Sequence, residues 1–195
     1  YLAVLYASRY PNSIEKVIFE GPTFDFGLTA KSLLKKTASL FEKYKMVENE
    51  LKCIKLYNDA TLSPRELVEG YMDIGEFLEE NRMEIYTHNF TNPTDTGVYS
   101  DDQWDNFYNK SAIHFDRLRD EGKIFEPVLP LLKEINIPCL IILGEHDAVT
   151  CPIQVQTYLT EVKQGEISTV KNSGHTPHYE AADEFCDVVT DYLTK

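Results

Sequence analysis

The run PCLIILG, Pro138 to Gly144, limits what this chain can become more than any other stretch. Its apolar residues stand between a proline and a glycine, with β-branched Ile141 and Ile142 at the centre, which is how a strand buried on both faces reads. Such a strand needs cover on both sides, and parallel sheets with helical crossovers provide it. The flanking pattern agrees. PVLPLLKEI reads as a short helix ahead of the run, PIQVQTYLTEV as a helix behind it, EISTVK as a second strand and AADEFCDVVTDYL as a closing helix. At the other end, the helical pattern YLAVLYASRY stops at Pro11 and KVIFEGP follows as a further strand. Strands alternating with helices give an α/β chain with a parallel sheet.

Between Thr23 and about Phe125 the character changes to helices rich in Lys, Glu, Tyr and Phe. SLLKKTASLFEKYK and ENELKCIKLYND are amphipathic. SPRELVEGYMDIGEFLEENRMEIY is expected to form one long helix, with Ser63 as cap, Pro64 in the first turn and Glu66 completing a capping box. NFTNPTDTGVYS is expected to be a loop, and Ser100 with Gln103 opens another helix. The expected division is therefore 1–22 as α/β core, 23–126 as an all-helical insertion and 127–195 as returning core.

The formal net charge of −13 argues against nucleic acid and anionic membrane as partners, because both demand clustered Lys and Arg. No apolar run approaches the roughly 20 residues of a membrane span, and the first residues do not resemble a secretory leader, so a soluble, cytoplasmic protein is expected. Four cysteines show no C-x-x-C spacing; Cys139 and Cys186 fall in apolar patterns and read as small buried hydrophobes. Cys151, at a helix start, reads as a packing residue, as do Trp104, Phe107 and Tyr108 at helical spacing. Neither a Gly-rich phosphate loop nor a metal-binding pattern occurs, so no cofactor and no metal are expected.

Chemistry is suggested by two loops, GEHDAVTCP after the first of the late strands and KNSGHTPHYE after the second. Consecutive parallel strands point the same way, so both loops leave the sheet at its carboxyl edge, where open α/β sheets bind ligands. Asp147 and His175 then become neighbours. A carboxylate accepting from a neutral imidazole fixes its tautomer and stabilises the imidazolium formed on protonation. On spacing alone, Asp147 serves equally well to cap the helix at Pro152 or to close a turn. His178 reads as structural or pocket-lining, His146 as solvent-facing, and His88 and His114 as ordinary residues of the helical insertion.

Gly-Glu-His-Asp at a strand end, Cys-Pro opening the next helix and Ser-Gly-His-x-Pro-His-x-Glu before a terminal helix resemble the carboxyl-terminal part of the α/β-hydrolase fold, in its proline iminopeptidase-like branch. YLAVLYASRYPNSIEKVIFEGP likewise resembles the helix and strand that follow the nucleophile elbow of that fold, and the helical middle resembles its lid only in position. The resemblance implies Asp147 as triad acid and His175 as triad base. It also implies a G-x-S-x-G elbow ahead of Tyr1, and no G-x-S-x-G occurs in these residues. Ser8 lies inside a helix and Ser173 neighbours the base only in sequence, so neither replaces the nucleophile.

Two functions follow. One is a serine hydrolase acting on an ester or amide, with an aminopeptidase of proline iminopeptidase type among its forms, represented here by a portion without the nucleophile. Its substrate is a small molecule or short peptide, whose free amino terminus would meet a lid carboxylate among Glu66, Glu69, Glu76, Glu79 and Glu80. The same two residues serve an esterase, thioesterase or lactonase, and a dehalogenase or epoxide hydrolase with an upstream aspartate stays open. The other is a non-catalytic, hydrolase-derived binding module. In either case an unpaired first strand is expected to pair with a complementary amino-terminal segment or to self-associate.

Overall fold

The computed structural model describes residues 1–91 and 100–195, so most of the stretch expected to be the loop NFTNPTDTGVYS lies outside the described residues. Strands β1 (Val17–Glu20), β2 (Cys139–Gly144) and β3 (Gly165–Val170) form one parallel sheet in the order β1-β2-β3. Val17 stands opposite Cys139, and Cys139 opposite Gly165, so the strands start level and finish at one edge.

Side chains alternate across a strand, and β2 divides its residues accordingly. Cys139 and Ile141 pack with Phe19, Val4 and Ala7 of helix α1 (Leu2–Arg9) and Tyr158 of helix α6 (Pro152–Glu161). Leu140 and Ile142 pack on the opposite face with Val170 and Tyr192 of the terminal helix α8 (Ala182–Thr194). Both faces of β2 are thus dry, as its unbroken apolar run requires. The Tyr158 hydroxyl, buried with its ring, donates to the carbonyl of Cys139 at 2.8 Å.

The helical insertion lies between β1 and β2 in sequence. Helices α2 (Phe26–Lys43), α3 (Val47–Asn58) and α4 (Pro64–Gly75) share a second core, which includes Leu34, Phe41, Cys53, Leu67, Tyr71 and Ile74. Both expected capping boxes form, Ser63 with Glu66 on α4 and Ser100 with Gln103 on helix α5 (Asp101–Asp120). The single long helix expected from Ser63 to Tyr86 does not form. It ends at Gly75, and Glu76–Ile85 continues as a 3-10 segment with Glu79 at φ 49°. The redirection is tertiary: Leu78 and Ile85 enter the core, and just beyond them the carbonyl of Tyr86 accepts from the amide of His175.

Gln154 of α6 fastens the start of the insertion to the sheet. Fully buried, its carbonyl accepts from the amides of Phe24 (2.7 Å) and Asp25 (2.9 Å), and its amide group donates to Thr29 Oγ1 at 3.0 Å. Asp25 in turn caps α2 by accepting from Leu28. Cys186 faces outward on α8, contrary to its expected burial, while Cys53 and Cys139 are buried and their thiols are pushed up to about 12 and about 11 by desolvation. Burial of this kind makes those two thiols inert. Among the described residues no helix is long and apolar enough to cross a membrane.

Candidate active site

The loops after β2 and β3 are zipped to one another past the ends of their strands. Glu145 donates its amide to the carbonyl of Val170 at 2.9 Å, His146 to that of Ser173 at 2.9 Å, and the amide of Asn172 reaches the Glu145 carboxylate at 3.1 Å. Gly144 makes this approach possible. A methyl group there would lie 1.9 Å from the carbonyl oxygen of Gly174 and 2.6 Å from that of Ser173. Because both obstacles are backbone atoms, no side-chain rotation relieves the clash. Gly144→Ala is expected to lower stability by about 3 kcal/mol through overpacking, measured by urea denaturation. A loss within about 0.5 kcal/mol, the scale of a neutral surface change, would mean that the loops separate freely.

Asp147 folds back on its own loop. Its amide donates to the carbonyl of Gly144, and Oδ1 accepts from the amide of Val149 at 2.7 Å, so the carboxylate closes a turn and does not cap α6. Val149 is anchored in the core of the helical insertion. The Asp147 side chain is only 2% exposed, and Oδ1 lies 3.4 Å from Nδ1 of His175, whose side chain is 29% exposed. That contact is an ion-pair distance outside hydrogen-bond geometry. Asp147 Oδ2 and His175 Nδ1 are both buried and make no hydrogen bond, so a small turn of the imidazole onto the carboxylate would satisfy both. With Nδ1 facing the acid, Nε2 is the nitrogen left for proton transfer.

His175 is held from three sides. Its amide donates to Tyr86 at 2.7 Å, its ring lies against the backbone of Gly21, and the preceding Gly174 amide donates to Glu180 at 2.8 Å. Gly21 has φ +46°, and a methyl group there would come within 2.6 Å of His175 Nδ1, so glycine serves both conformation and space.

Glu180, at the end of the short helix α7 (Pro177–Glu180), is a site residue that the sequence reading missed. It is 3% exposed, and Oε2 accepts at 2.8 Å from the amides of His88, Asn89 and Gly174. Its place in the His-x-Pro-His-x-Glu stretch was the available signal, but two of its three donors, His88 and Asn89, come from a segment some ninety residues earlier.

The other histidines divide. His178 pairs with Glu20 at the end of β1, Nδ1 to Oε1 at 2.5 Å, and its amide donates to the same oxygen at 3.1 Å. This second carboxylate–imidazole pair ties α7 to the sheet. His146 does not simply face solvent: its ring stacks on His88 with centroids 3.6 Å apart, joining the Asp147 loop to the insertion. Ser8 donates to Leu5 within α1 and buried Ser173 donates to Val170, so both hydroxyls are engaged away from His175.

Beside His175 is a cavity of about 220 Å³ lined by Phe26, Ala30, Leu33, Val68, Met72 and Phe115, with Tyr71 and Tyr86 also in its wall. Trp104, Phe107 and Tyr108 do not line it; Phe107 and Tyr108 are exposed on α5. Among the described residues no group of three or more His, Cys, Asp or Glu is placed to hold a metal ion.

Comparison with solved structures places the fold. The chain is similar to a proline iminopeptidase from Mycobacterium smegmatis (TM-score 0.54, 16% identity), covering 99% of this chain and 61% of that one. It is similar also to an alpha/beta fold family hydrolase from Bacillus anthracis str. Sterne (TM-score 0.53, 16% identity, 97% and 62%) and to VinJ (TM-score 0.51, 17% identity, 99% and 62%). The fold is that of the α/β-hydrolases. It is the carboxyl-terminal part of that parallel sheet with an inserted helical lid, and the chain spans about three fifths of the length of these hydrolase-fold neighbours. No family model and no curated protein sequence matches the chain.

Proposed function

We propose that this chain carries the acid-base half of a serine hydrolase, with His175 as base, Asp147 as the acid that orients it, and residues 23–126 as the lid over the site. The observation that carries the reading is the approach of Asp147 Oδ1 to His175 Nδ1, 3.4 Å, from loops after adjacent parallel strands of a hydrolase-type fold. In the proposed reaction a serine supplied by a nucleophile-bearing segment outside these 195 residues attacks the carbonyl of an ester or amide. His175 Nε2 takes the serine proton, and the alcohol or amine leaves with that proton as the acyl-enzyme forms. Water then repeats the sequence, giving the acid and regenerating the serine. Backbone amides stabilise the tetrahedral oxyanion at each step.

The free edge of the sheet supports the idea of such a segment. β1 has no neighbour on its outer side among the described residues, and beside it an apolar groove of about 500 Å³ is lined by Leu2, Leu5, Tyr6, Tyr10, Ile14 and Val17. An unpaired strand edge flanked by apolar surface favours a complementary strand. A cytoplasmic location fits the four free cysteines.

A fluorophosphonate probe tests the reading. The protein joined to its nucleophile-bearing segment is expected to be labelled on serine, and His175→Ala in the same protein is expected to abolish labelling. Equal labelling of the two would overturn the assignment of His175. The competing reading, a binding module without catalysis, predicts no labelling of either protein.

A further inference from the structure

We infer that the cavity beside His175 takes an uncharged apolar acyl group, so that the substrate is a neutral ester or lactone and not a compound with a free amino terminus. The inference rests on the reading of His175 as catalytic base and adds the substrate class. Its starting point is the charge of the walls. Phe26, Ala30, Leu33, Val68, Met72 and Phe115 are apolar, and among the described residues no carboxylate belongs to the lining.

Apart from His175, whose ring faces Asp147, the hydroxyls of the wall are already hydrogen-bonded. The Tyr71 and Tyr86 hydroxyls share a short hydrogen bond. Burial pushes the Tyr71 phenol upward, so it stays neutral and offers no anion to a cation. Thr29 Oγ1 donates to the carbonyl of Val149 at 3.0 Å and accepts from Gln154 at 3.0 Å.

The five lid carboxylates that could have met an ammonium group are elsewhere. Glu66 accepts from Ser63 in the capping box, Glu69 faces Arg65 at 3.6 Å and Glu76 pairs with Arg82. Glu79 and Glu80 are exposed, and none of the five lines the cavity. An ammonium ion moved from water into such a space without a counter-charge loses hydration that nothing there replaces. An acyl chain gains from the same transfer with every methylene it buries. Size narrows the choice further. An apolar cavity of about 150 Å³ holds benzene, so this one, at about 220 Å³, has room for a phenyl ring on a short tether.

Calorimetric titration of the 195-residue chain with 3-phenylpropionamide and with 3-phenylpropylammonium tests the inference without needing a nucleophile. The amide is expected to bind at least about ten-fold more tightly. Met72→Glu, which places a carboxylate at a partly exposed wall position, is expected to reverse that preference, while Met72→Gln keeps it. Equal or tighter binding of the ammonium compound by the unaltered chain, or binding of neither, would overturn the inference. Methyl 3-phenylpropionate offered to the protein joined to its nucleophile-bearing segment separates the two readings. Selective binding of the neutral amide without any ester hydrolysis would sink the catalytic assignment and leave the cavity assignment standing.

Discussion

Asp147→Asn is expected, on the proposed triad assignment, to lower kcat for ester hydrolysis about 10⁴-fold in the protein joined to the proposed nucleophile-bearing segment, with the fold intact. The magnitude follows from tautomer control: replacing the acid of such a triad by its amide leaves the imidazole in the wrong tautomer. Here the amide would present an N–H to His175 Nδ1, and Nδ1 would become the acceptor. Nε2 would then carry the proton and could not take one from serine. The turn should survive, because the Asn carbonyl can still accept from Val149 as Asp147 Oδ1 does at 2.7 Å. Steady-state kinetics together with a thermal melt make the test. A loss of less than about ten-fold at unchanged melting temperature would show that this carboxylate is not the partner of the base, since removing a tautomer-fixing acid is far more damaging than that.

Glu180→Ala is expected to destabilise the protein by about 4 kcal/mol, because a charged acceptor with several buried donors is worth more than a neutral hydrogen bond. Alanine strands the amides of His88, Asn89 and Gly174, each now 2.8 Å from Oε2. Thr176, whose amide and hydroxyl both lie 3.4 Å from Oε1, loses its weaker contact as well. At roughly 2–4 °C per kcal/mol for a chain of this size, the melting temperature should fall by about 10 °C. Glu180→Gln keeps a carbonyl acceptor without the charge and is expected to lose about half as much. Circular dichroism melts of the two variants decide the matter. Equal losses for Ala and Gln would mean that the charge contributes nothing, and a loss below about 1 kcal/mol for Ala would mean that water replaces the carboxylate without penalty.

The two experiments probe one piece of architecture from opposite ends. Asp147 reaches His175 from the loop after β2, whereas Glu180 fixes the loop that carries His175 to the segment after the 3-10 stretch Glu76–Ile85. Val149, packed in the core of the insertion, links the acid's loop to that same helical layer. A hydrolase-type fold can host many chemistries. The charge and size of the cavity under α2 and α4 therefore bear more directly on substrate than the sheet does.

Much of this was legible before any coordinates. Pro64 and Ser63 start α4, Ser100 starts α5, and the apolar run of β2 is buried on both faces. The caps are bonds between residues three positions apart, and an unbroken apolar run demands cover on both faces whichever elements supply it, so the local pattern carries the information. The approach of Asp147 to His175 was legible for a related reason. Parallel strands with helical crossovers must end at one edge, and the glycine after an apolar run marks where a strand ends.

The sequence by itself determined the alternation of strands and helices, the capped starts of the insertion helices and the edge at which an acid and an imidazole would emerge. Tertiary structure alone decided that the helix expected from Ser63 to Tyr86 breaks at Gly75, that His146 stacks on His88, that Cys186 faces outward and that Gln154 and Glu180 hold buried amides. Those features pair groups up to 130 residues apart. Local periodicity reports which face of an element is apolar, whereas a buried donor's partner is fixed only when distant segments are packed together.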